Sequence, residues 1–252
     1  MAAKPLKPLL RWLALLVAAI LALQLFFVVR IASMAVLAPQ STAFERSEAW
    51  RLLNEKGTLR WRQQWVAYPQ ISDHLKRAII ASEDDGFNQH DGVDWEALEK
   101  AWQKNTRAQA QADKRAAAAA AKGKAPARPP KVVGGSTITQ QLAKNLLLSG
   151  ERTFLRKGQE FVLTLLLEAM LSKQRILEIY LNNVEWGEGV FGAEAAAQHY
   201  FRKPAAKLSA YEAARLAVML PRPRYFEKLP NSSYVAGRAS VIANRMSGIE
   251  VP

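Results

Sequence analysis

The chain of 252 residues is long enough for one domain with an appendage, and half of its residues are hydrophobic. It contains no cysteine, which excludes a disulfide framework and a thiolate metal site. A net charge of +13 makes nucleic acid the first partner to consider, but residues 100–131 alone contribute +8 of that charge. The basic character is therefore local and says little about the rest of the chain.

A long apolar segment comes first along the chain. From Trp12 to Val29 the sequence WLALLVAAILALQLFFVV has 18 residues and one polar interruption, Gln24. As a helix it would nearly match a hydrocarbon core of about 30 Å, and residues 31–37 extend it. We therefore predict a cytoplasmic N-terminus and a transmembrane anchor within residues 1–40, and one folded domain over residues 41–252.

The charges around this segment predict its orientation. Lys4, Lys7 and Arg11 precede it, whereas Arg30 follows it and the next basic residue is Arg46. Because basic residues favour the cytoplasmic side, the domain is expected outside the cytoplasm, which argues against a nucleic-acid partner.

Two other interpretations of the apolar segment are a cleaved signal peptide and a core helix. A cleaved signal peptide would have an apolar region of about 7–15 residues and a small-x-small cleavage site. A core helix would have a polar face, so both alternatives fit this segment less well.

The next segments predict helices interrupted by an insertion. Residues 40–70 are rich in Trp and Arg and are predicted to lie beside the membrane, although they also suit a core. Helical spacing covers residues 72–82, and Asp94 is placed to cap the following helix. The basic, Ala-rich stretch at about 104–131 is predicted to be an insertion, helical in its first half and a flexible loop in its second. Contact of this insertion with anionic phospholipid is the alternative.

A group of acids at residues 81–95 forms the first candidate site. Glu83, Asp84 and Asp85 lie where the predicted helix ends, close to His90 and Gly92. Adjacent acids at a helix C-terminus oppose the helix dipole, so folding alone does not require them. A solvated acidic turn is the alternative interpretation.

The segment GGSTITQQLAKNLLL, residues 134–148, forms the second candidate site. Ser136 is the predicted N-cap of a helix whose free N–H groups would form an anion site. Gln140, Gln141 and Lys144 follow at helical spacings along one side. These features predict a phosphate-bearing ligand, although the P-loop order of residues is missing. An ordinary capped helix is the alternative.

The third candidate site lies in the apolar stretch that follows. Residues 153–182 are predicted to be helical and divided at Ser172. Arg156 and Glu160 share one helix face, and Glu160 lies at the rim of a buried segment, where the pKa of a carboxyl group can be shifted. A surface salt bridge is the alternative here.

The remaining sequence is also predicted to be helical. A glycine-rich turn at residues 186–192 leads into a helix, Ser209 and Glu212 have the spacing of a capping box, and Pro221 closes the helix that they start. Sustained alternation of apolar and polar residues is absent from the sequence, so the expected fold class is mostly α.

Five motifs, taken together, resemble those of the peptidoglycan glycosyltransferases. They occur in the expected order between residues 83 and 221 and are E-D-x-x-F-x-x-H-x-G (83–92), G-x-S-T-x-T-Q-Q-x-x-K-N (134–145), R-K-x-x-E (156–160), K-x-x-I-L-E-x-Y-L-N (173–182) and R-L-A-x-x-L-P (215–221). The sequence contains no S-x-x-K motif of a transpeptidase domain, so the resemblance is to the monofunctional members of the family.

The resemblance implies a fold and a reaction. The fold is a lysozyme-like helical domain that dips into the membrane. The reaction is polymerisation of lipid II, in which the growing strand on undecaprenyl pyrophosphate is transferred with inversion to the 4-hydroxyl group of the incoming lipid II.

The resemblance also implies roles for individual residues. Glu83 corresponds to the general base and Glu160 to the second glutamate, which assists departure of the pyrophosphate. The positions implicated in holding the pyrophosphate are Ser136, Lys144 and Arg152. The supporting residues are Asp84, His90, Thr137, Gln140, Gln141, Asn145, Arg156 and Lys157. Glu178 and Trp186 are expected to be structural.

Location, partners and cofactors follow from the same resemblance. A single-pass protein of the bacterial inner membrane is expected, with its catalytic domain in the periplasm and with lipid II and the growing glycan strand as substrates. Cell-division or wall-synthesis proteins are candidate partners. No cofactor is required, and a divalent cation such as Mg²⁺ or Mn²⁺ is a candidate at the pyrophosphate.

Two other functions remain open at the level of sequence. A lysozyme-type enzyme that cleaves glycans would share the fold and a glutamate, but it would not need the cations predicted to hold pyrophosphate. A non-catalytic scaffold protein of the cell wall would not need both Glu83 and Glu160.

Overall fold

The computed structural model describes residues 6–121, 125, 129–130, 134–148, 150–151 and 153–252. Over these residues the chain is mostly helical, as predicted, with one small sheet. The helices are α1 (Leu6–Ser33), α2 (Ala43–Lys56), α3 (Asp73–Glu83), α4 (Trp95–Ala120), α5 (Ile138–Leu147), α6 (Phe154–Met170), α7 (Lys173–Asn183), α8 (Ala193–Phe201), α9 (Ala210–Met219), α10 (Pro223–Phe226) and α11 (Ser233–Arg245).

Helix α1 is long and apolar enough to cross a membrane. The most apolar 18-residue stretch within Pro8–Ser33 has a mean hydropathy of 2.7, and most side chains of this span are exposed in the protein alone. Near the C-terminal end, however, Phe27, Ile31 and Met34 are buried in the same hydrophobic core as the rest of the domain. The last turns of the predicted anchor are therefore part of the folded domain.

The core of the domain is built around α3 and α5. Helix α3 packs against α9 and α11 through a buried face that includes Leu75, Ala78 and Ile79, and it lies where helical spacing was predicted over residues 72–82. Helix α5 packs against α6, α7 and α2. Because α3 ends at Glu83 and α5 begins at Ile138, this packing fixes where the first two candidate sites meet.

The sheet has three short strands, β1 (Arg62–Gln63), β2 (Glu185–Gly187) and β3 (Val190–Phe191), in the order β1-β3-β2. Strand β3 is parallel to β1 and antiparallel to β2. The sequence predicted only a turn here, because strands of two or three residues are too short to show alternation. Gly189 has a φ of +71°, and a Cβ atom there would lie 2.0 Å from the backbone oxygen of Arg60, so this turn requires glycine.

Several predicted helix ends are confirmed by side-chain caps. Asp94 accepts a hydrogen bond from the N–H of Ala97, Ser172 caps α7, and Ser209 forms a capping box with Glu212. Helix α4 continues to Ala120, so the first half of the predicted insertion is helical, as expected. Most of the predicted basic loop lies outside the described residues.

Candidate active site

Two clefts meet at Glu83. The Ser136 cleft, of about 310 Å³, lies between the end of α3, the start of α4 and residues 134–137. The Lys144 cleft, of about 480 Å³, lies between α5, the start of α6 and the loop before β2. Both volumes fall in the range of about 300–1,000 Å³ that is typical of small-ligand sites. Glu83 is a lining residue of both clefts and therefore lies where they adjoin.

The carboxyl group of Glu83 is held by a short chain of hydrogen bonds. Gln141 Nε2 donates to Glu83 Oε2 at 3.0 Å, and the hydroxyl group of buried Tyr180 donates to Gln141 Oε1 at 3.0 Å. Burial raises the pKa of Glu83, and the charge of Asp84 raises it further, whereas the hydrogen bond from Gln141 lowers it. A carboxylate whose pKa is raised towards neutral pH is a stronger base than an ordinary glutamate, which suits a general base.

The hydrogen bond from Gln141 gives a testable pH dependence. As the predicted base, Glu83 must be ionised to accept a proton, so we expect activity to fall as the pH falls through the pKa of Glu83. Replacement Gln141→Leu removes a donor that favours the ionised form, so the pKa of Glu83 should rise. We expect the acid limb of a plot of kcat/KM against pH to move to higher pH in this variant.

A second variant controls for repacking around residue 141. Replacement Tyr180→Phe keeps the side chain of Gln141 but removes the hydroxyl group that orients it. Its acid limb should move in the same direction by a smaller amount. An acid limb that stays in place or moves to lower pH in Gln141→Leu would contradict this interpretation of the contact.

Asp84 connects three segments around the site. Its Oδ1 accepts a hydrogen bond from His90 Nε2 at 2.8 Å, and its Oδ2 accepts from the backbone N–H of Ile138 at 3.0 Å. The backbone N–H of Gly92 donates to His90 Nδ1 at 3.1 Å, so the ring proton of a neutral His90 lies on Nε2. Asp84 and His90 therefore support the site by fixing the start of α5 beside Glu83.

The start of α5 differs from the prediction. Ser136 was expected to be the N-cap, but the N-cap is Thr137, which forms a capping box with Gln140. The reason is that a capping box needs Gln or Glu three residues after the cap, which Thr137 has and Ser136 does not. Two of the N–H groups that the predicted anion site would use already have acceptors in the protein, because Asp84 and Thr137 accept hydrogen bonds from Ile138 and Gln140.

The backbone at Gly92 brings these segments close together. Its φ is +87°, and a Cβ atom there would lie 2.7 Å from Thr164 Cγ2 and 2.8 Å from Glu168 Cγ. The hydroxyl group of Thr137 donates to the backbone oxygen of Gly92 at 2.6 Å. Thr137 is thus a structural residue that ties α5 to the loop after α3.

Glu160 lies in a cluster of charges at the start of α6. Its carboxylate accepts a hydrogen bond from Arg156 Nη1 at 3.0 Å and also contacts Lys157 Nζ. Glu160 is 4% exposed, whereas Arg156 lines the Lys144 cleft. Glu160 is therefore buried, in agreement with its predicted place at the rim of a buried segment, and the alternative of a surface salt bridge does not hold for it. Its partner Lys157 is 54% exposed, and Arg156 lies at the edge of the cleft.

The remaining residues that were predicted to bind substrate are divided between the two clefts and the part of the chain that is not described. Lys144 and Asn145 line the Lys144 cleft together with Glu83, Gln141 and Arg156. Ser136 lines the other cleft, so the structure does not group it with Lys144. Arg152 lies outside the described residues.

The two residues expected to be structural have structural contacts. Glu178 accepts hydrogen bonds from the backbone of Tyr68 and from Arg175, and buried Trp186 donates to the backbone oxygen of Leu216. Neither residue lines the two clefts. Both therefore hold the domain together around the site.

The candidate residues named from the sequence did not include Glu185 or Tyr180, which both belong to the site. Glu185 lines the Lys144 cleft, and Arg224 Nε donates to it at 2.8 Å. Burial raises the pKa of Glu185 to about 8, with smaller contributions from nearby charges. Nothing in its local sequence distinguishes Glu185 from a surface residue. Tyr180, by contrast, lies within the fourth motif, so its role in orienting Gln141 had a signal in the sequence.

The described residues provide no group of three or more His, Asp or Glu side chains that could hold a metal ion. Both oxygens of Glu160 already have cationic partners in Arg156 and Lys157. The described side chains around the clefts therefore do not form a metal site of the usual kind.

Comparison with known proteins identifies the relatives of this chain. The sequence profile of the transglycosylase family matches residues 51–247. Proteins named biosynthetic peptidoglycan transglycosylase are similar to most of the chain. The one from Burkholderia thailandensis is 51% identical over 96% of this chain and 88% of its own length. The one from Burkholderia multivorans is 49% identical over 96% of this chain and 92% of its own length.

Proposed function

The chain belongs to the transglycosylase family and is a peptidoglycan glycosyltransferase with a lysozyme-like domain, and we propose that the two clefts hold its two substrates on either side of Glu83. The Lys144 cleft receives the growing strand, whose diphosphate is the leaving group. The saccharide of the incoming lipid II approaches from the Ser136 cleft.

The proposed reaction is a single displacement with inversion. The 4-hydroxyl oxygen of the acceptor attacks the anomeric carbon of the donor, and Glu83 takes the hydroxyl proton. The bond between that carbon and the diphosphate oxygen breaks, and the lipid diphosphate leaves with the electron pair. Cations beside the leaving group stabilise the charge that develops on it.

The position of Glu83 is the observation that carries this proposal. Glu83 lines both clefts, and Lys144 and Arg156 line only the larger of the two. An inverting transfer needs a base next to the acceptor and positive charge next to the leaving group, on opposite sides of the reacting carbon. This arrangement also favours synthesis over cleavage, because hydrolysis of a glycan releases no diphosphate.

Replacement Lys144→Ala tests the assignment of the donor site. An ammonium group that contacts a diphosphate makes a charge-assisted hydrogen bond worth about 1.5–3 kcal/mol. We therefore expect the apparent KM for lipid II and the inhibition constant of the product undecaprenyl diphosphate to rise about 10- to 150-fold. Both constants are measured with full-length protein in detergent or vesicles.

A matched control is Lys207→Ala, which removes an exposed lysine from a 3₁₀ turn that lines neither cleft. This control should keep both constants near those of the unchanged protein. An unchanged inhibition constant in Lys144→Ala, with the protein folded, would rule out contact between Lys144 and the diphosphate.

We also propose which membrane holds the protein, how the chain is oriented in it and which proteins it binds. The apolar helix α1 and the bias of basic residues towards the N-terminus support a single-pass protein of the inner membrane with its domain in the periplasm. Substrate and enzyme would then share one bilayer. Cell-division and wall-synthesis proteins remain candidate partners, and a divalent cation, if it acts, would bind chiefly to the diphosphate of the substrate.

A further inference from the structure

The polar interruption in the anchor has a partner on the domain. Gln24 Nε2 donates to Gln159 Oε1 at 3.0 Å, and Gln159 Nε2 donates back to Gln24 Oε1 at 3.1 Å. A lone amide beside lipid tails lacks hydrogen-bond partners, whereas two facing amides satisfy each other. This reciprocal pair therefore joins the anchor to α6 at one defined register.

The position of Gln24 places part of α6 within the depth of the bilayer. Gln24 lies five residues before the end of the apolar span at Val29, which is about 8 Å along a helix axis. Phe154 and Leu155, at the start of α6, are 98% and 88% exposed, as expected for side chains that meet lipid. The first turns of α6 and the anchor thus lie side by side within the outermost part of the bilayer.

Other contacts leave little freedom between the anchor and the domain. Ile31 is fully buried in the domain core. Arg175 donates hydrogen bonds to the backbone oxygens of Met34 at 2.7 Å and Leu37 at 2.8 Å. The anchor is therefore fixed near its C-terminal end, and the glutamine pair fixes it a second time, deeper in the bilayer.

Gln159 directly precedes Glu160, so the pair acts on the site through α6. Arg156 and Lys157, which contact Glu160, lie within one turn of Gln159. We propose that the anchor is a positioning element of the transfer site, in which the Gln24–Gln159 pair sets the depth of the Glu160 cluster relative to the lipid diphosphate. This inference rests on the proposed role of that cluster in departure of the diphosphate.

A double-mutant cycle on the full-length protein in lipid vesicles tests the pair. The variants are Gln24→Leu, Gln159→Leu and both together, with Leu25→Ala as a control on the exposed face of the anchor. Each single replacement leaves one amide without its partner, and we expect kcat to fall about 3- to 30-fold. The double variant should lose no more than either single variant, because the two residues act as one unit.

Measuring both kcat per folded molecule and the melting temperature distinguishes an effect on the position of the Glu160 cluster from an effect on the stability of the protein. We expect kcat to fall per folded molecule while the melting temperature stays near that of the Leu25→Ala control. If the losses of the two single variants multiply in the double variant, or if activity per folded molecule is unchanged, the proposal is wrong.

Cross-linking provides a measurement that does not depend on activity. Because the chain contains no cysteine, Gln24→Cys and Gln159→Cys introduce its only thiols, which a short bis-maleimide can join. We expect efficient cross-linking and retention of most of the activity of the same variant before cross-linking. Failure to cross-link, or loss of activity on cross-linking, would overturn the proposal. If the protein cross-links but no variant makes glycan from lipid II, the proposed function has failed rather than the contact.

Discussion

Replacement Glu83→Gln is expected to lower the rate of glycan-strand synthesis about 10²- to 10⁴-fold, the usual contribution of a general base. Glutamine has nearly the same shape and can still accept the hydrogen bond from Gln141, but it cannot take the proton of the acceptor hydroxyl group. The measurement is the initial rate at which purified full-length protein converts lipid II into long strands.

The fold and the binding of substrate should survive this replacement. Burial of the charged form of Glu83 disfavours folding, so a neutral side chain at this position should not lower the melting temperature. Glu55→Gln is a suitable control, because Glu55 is an exposed residue of α2 that pairs with Arg51. Normal polymerisation by Glu83→Gln would show that another group is the base.

Replacement Glu160→Gln is expected to have the second largest effect, a fall in kcat of about 10²-fold. The carboxylate of Glu160 holds both Arg156 and Lys157, and a neutral amide has one oxygen to offer them. The cations would then be less well placed when charge develops on the leaving diphosphate. The measurement is kcat under saturating lipid II, which separates this effect from weaker binding.

Glu178→Gln is a matched control for the loss of a buried glutamate. Glu178 is also shielded from solvent and is also paired with an arginine on its own helix, Arg175, but it lines neither cleft. We expect this control to lower stability without a comparable fall in kcat per folded molecule. Equal losses of kcat in the two variants would indicate that Glu160 is only a structural residue.

The sequence predicted the helices of this protein well, because the signals for helices are local. The helical spacing of α3, the cap at Asp94 and the division at Ser172 follow from the local sequence alone. The three-stranded sheet did not have such a signal. Its strands are too short to alternate, and its pairing joins residues far apart in the sequence.

Several predicted site residues, such as Glu83 and Lys144, line the clefts, but the sequence did not reveal their contacts. Glu83 and Gln141 lie 58 residues apart, and only the packing of α3 and α5 brings them together. Thr137 rather than Ser136 is the N-cap because Gln140 completes its capping box. The sequence alone also allowed Gln140 to be a ligand-binding residue, so it did not decide between the two caps. Glu185 enters the cleft through the tertiary fold, so no local pattern could have revealed it.

We propose that Glu83 lies between an acceptor and a donor whose diphosphate is held by Lys144 and Arg156. The most direct test is the structure of the Glu83→Gln protein with lipid II bound in both clefts. We expect the acceptor 4-hydroxyl oxygen within about 2.6–3.2 Å of the side chain at position 83 and the donor diphosphate against Lys144 and Arg156. A diphosphate bound away from both cations, or a hydroxyl group out of reach of residue 83, would contradict the account.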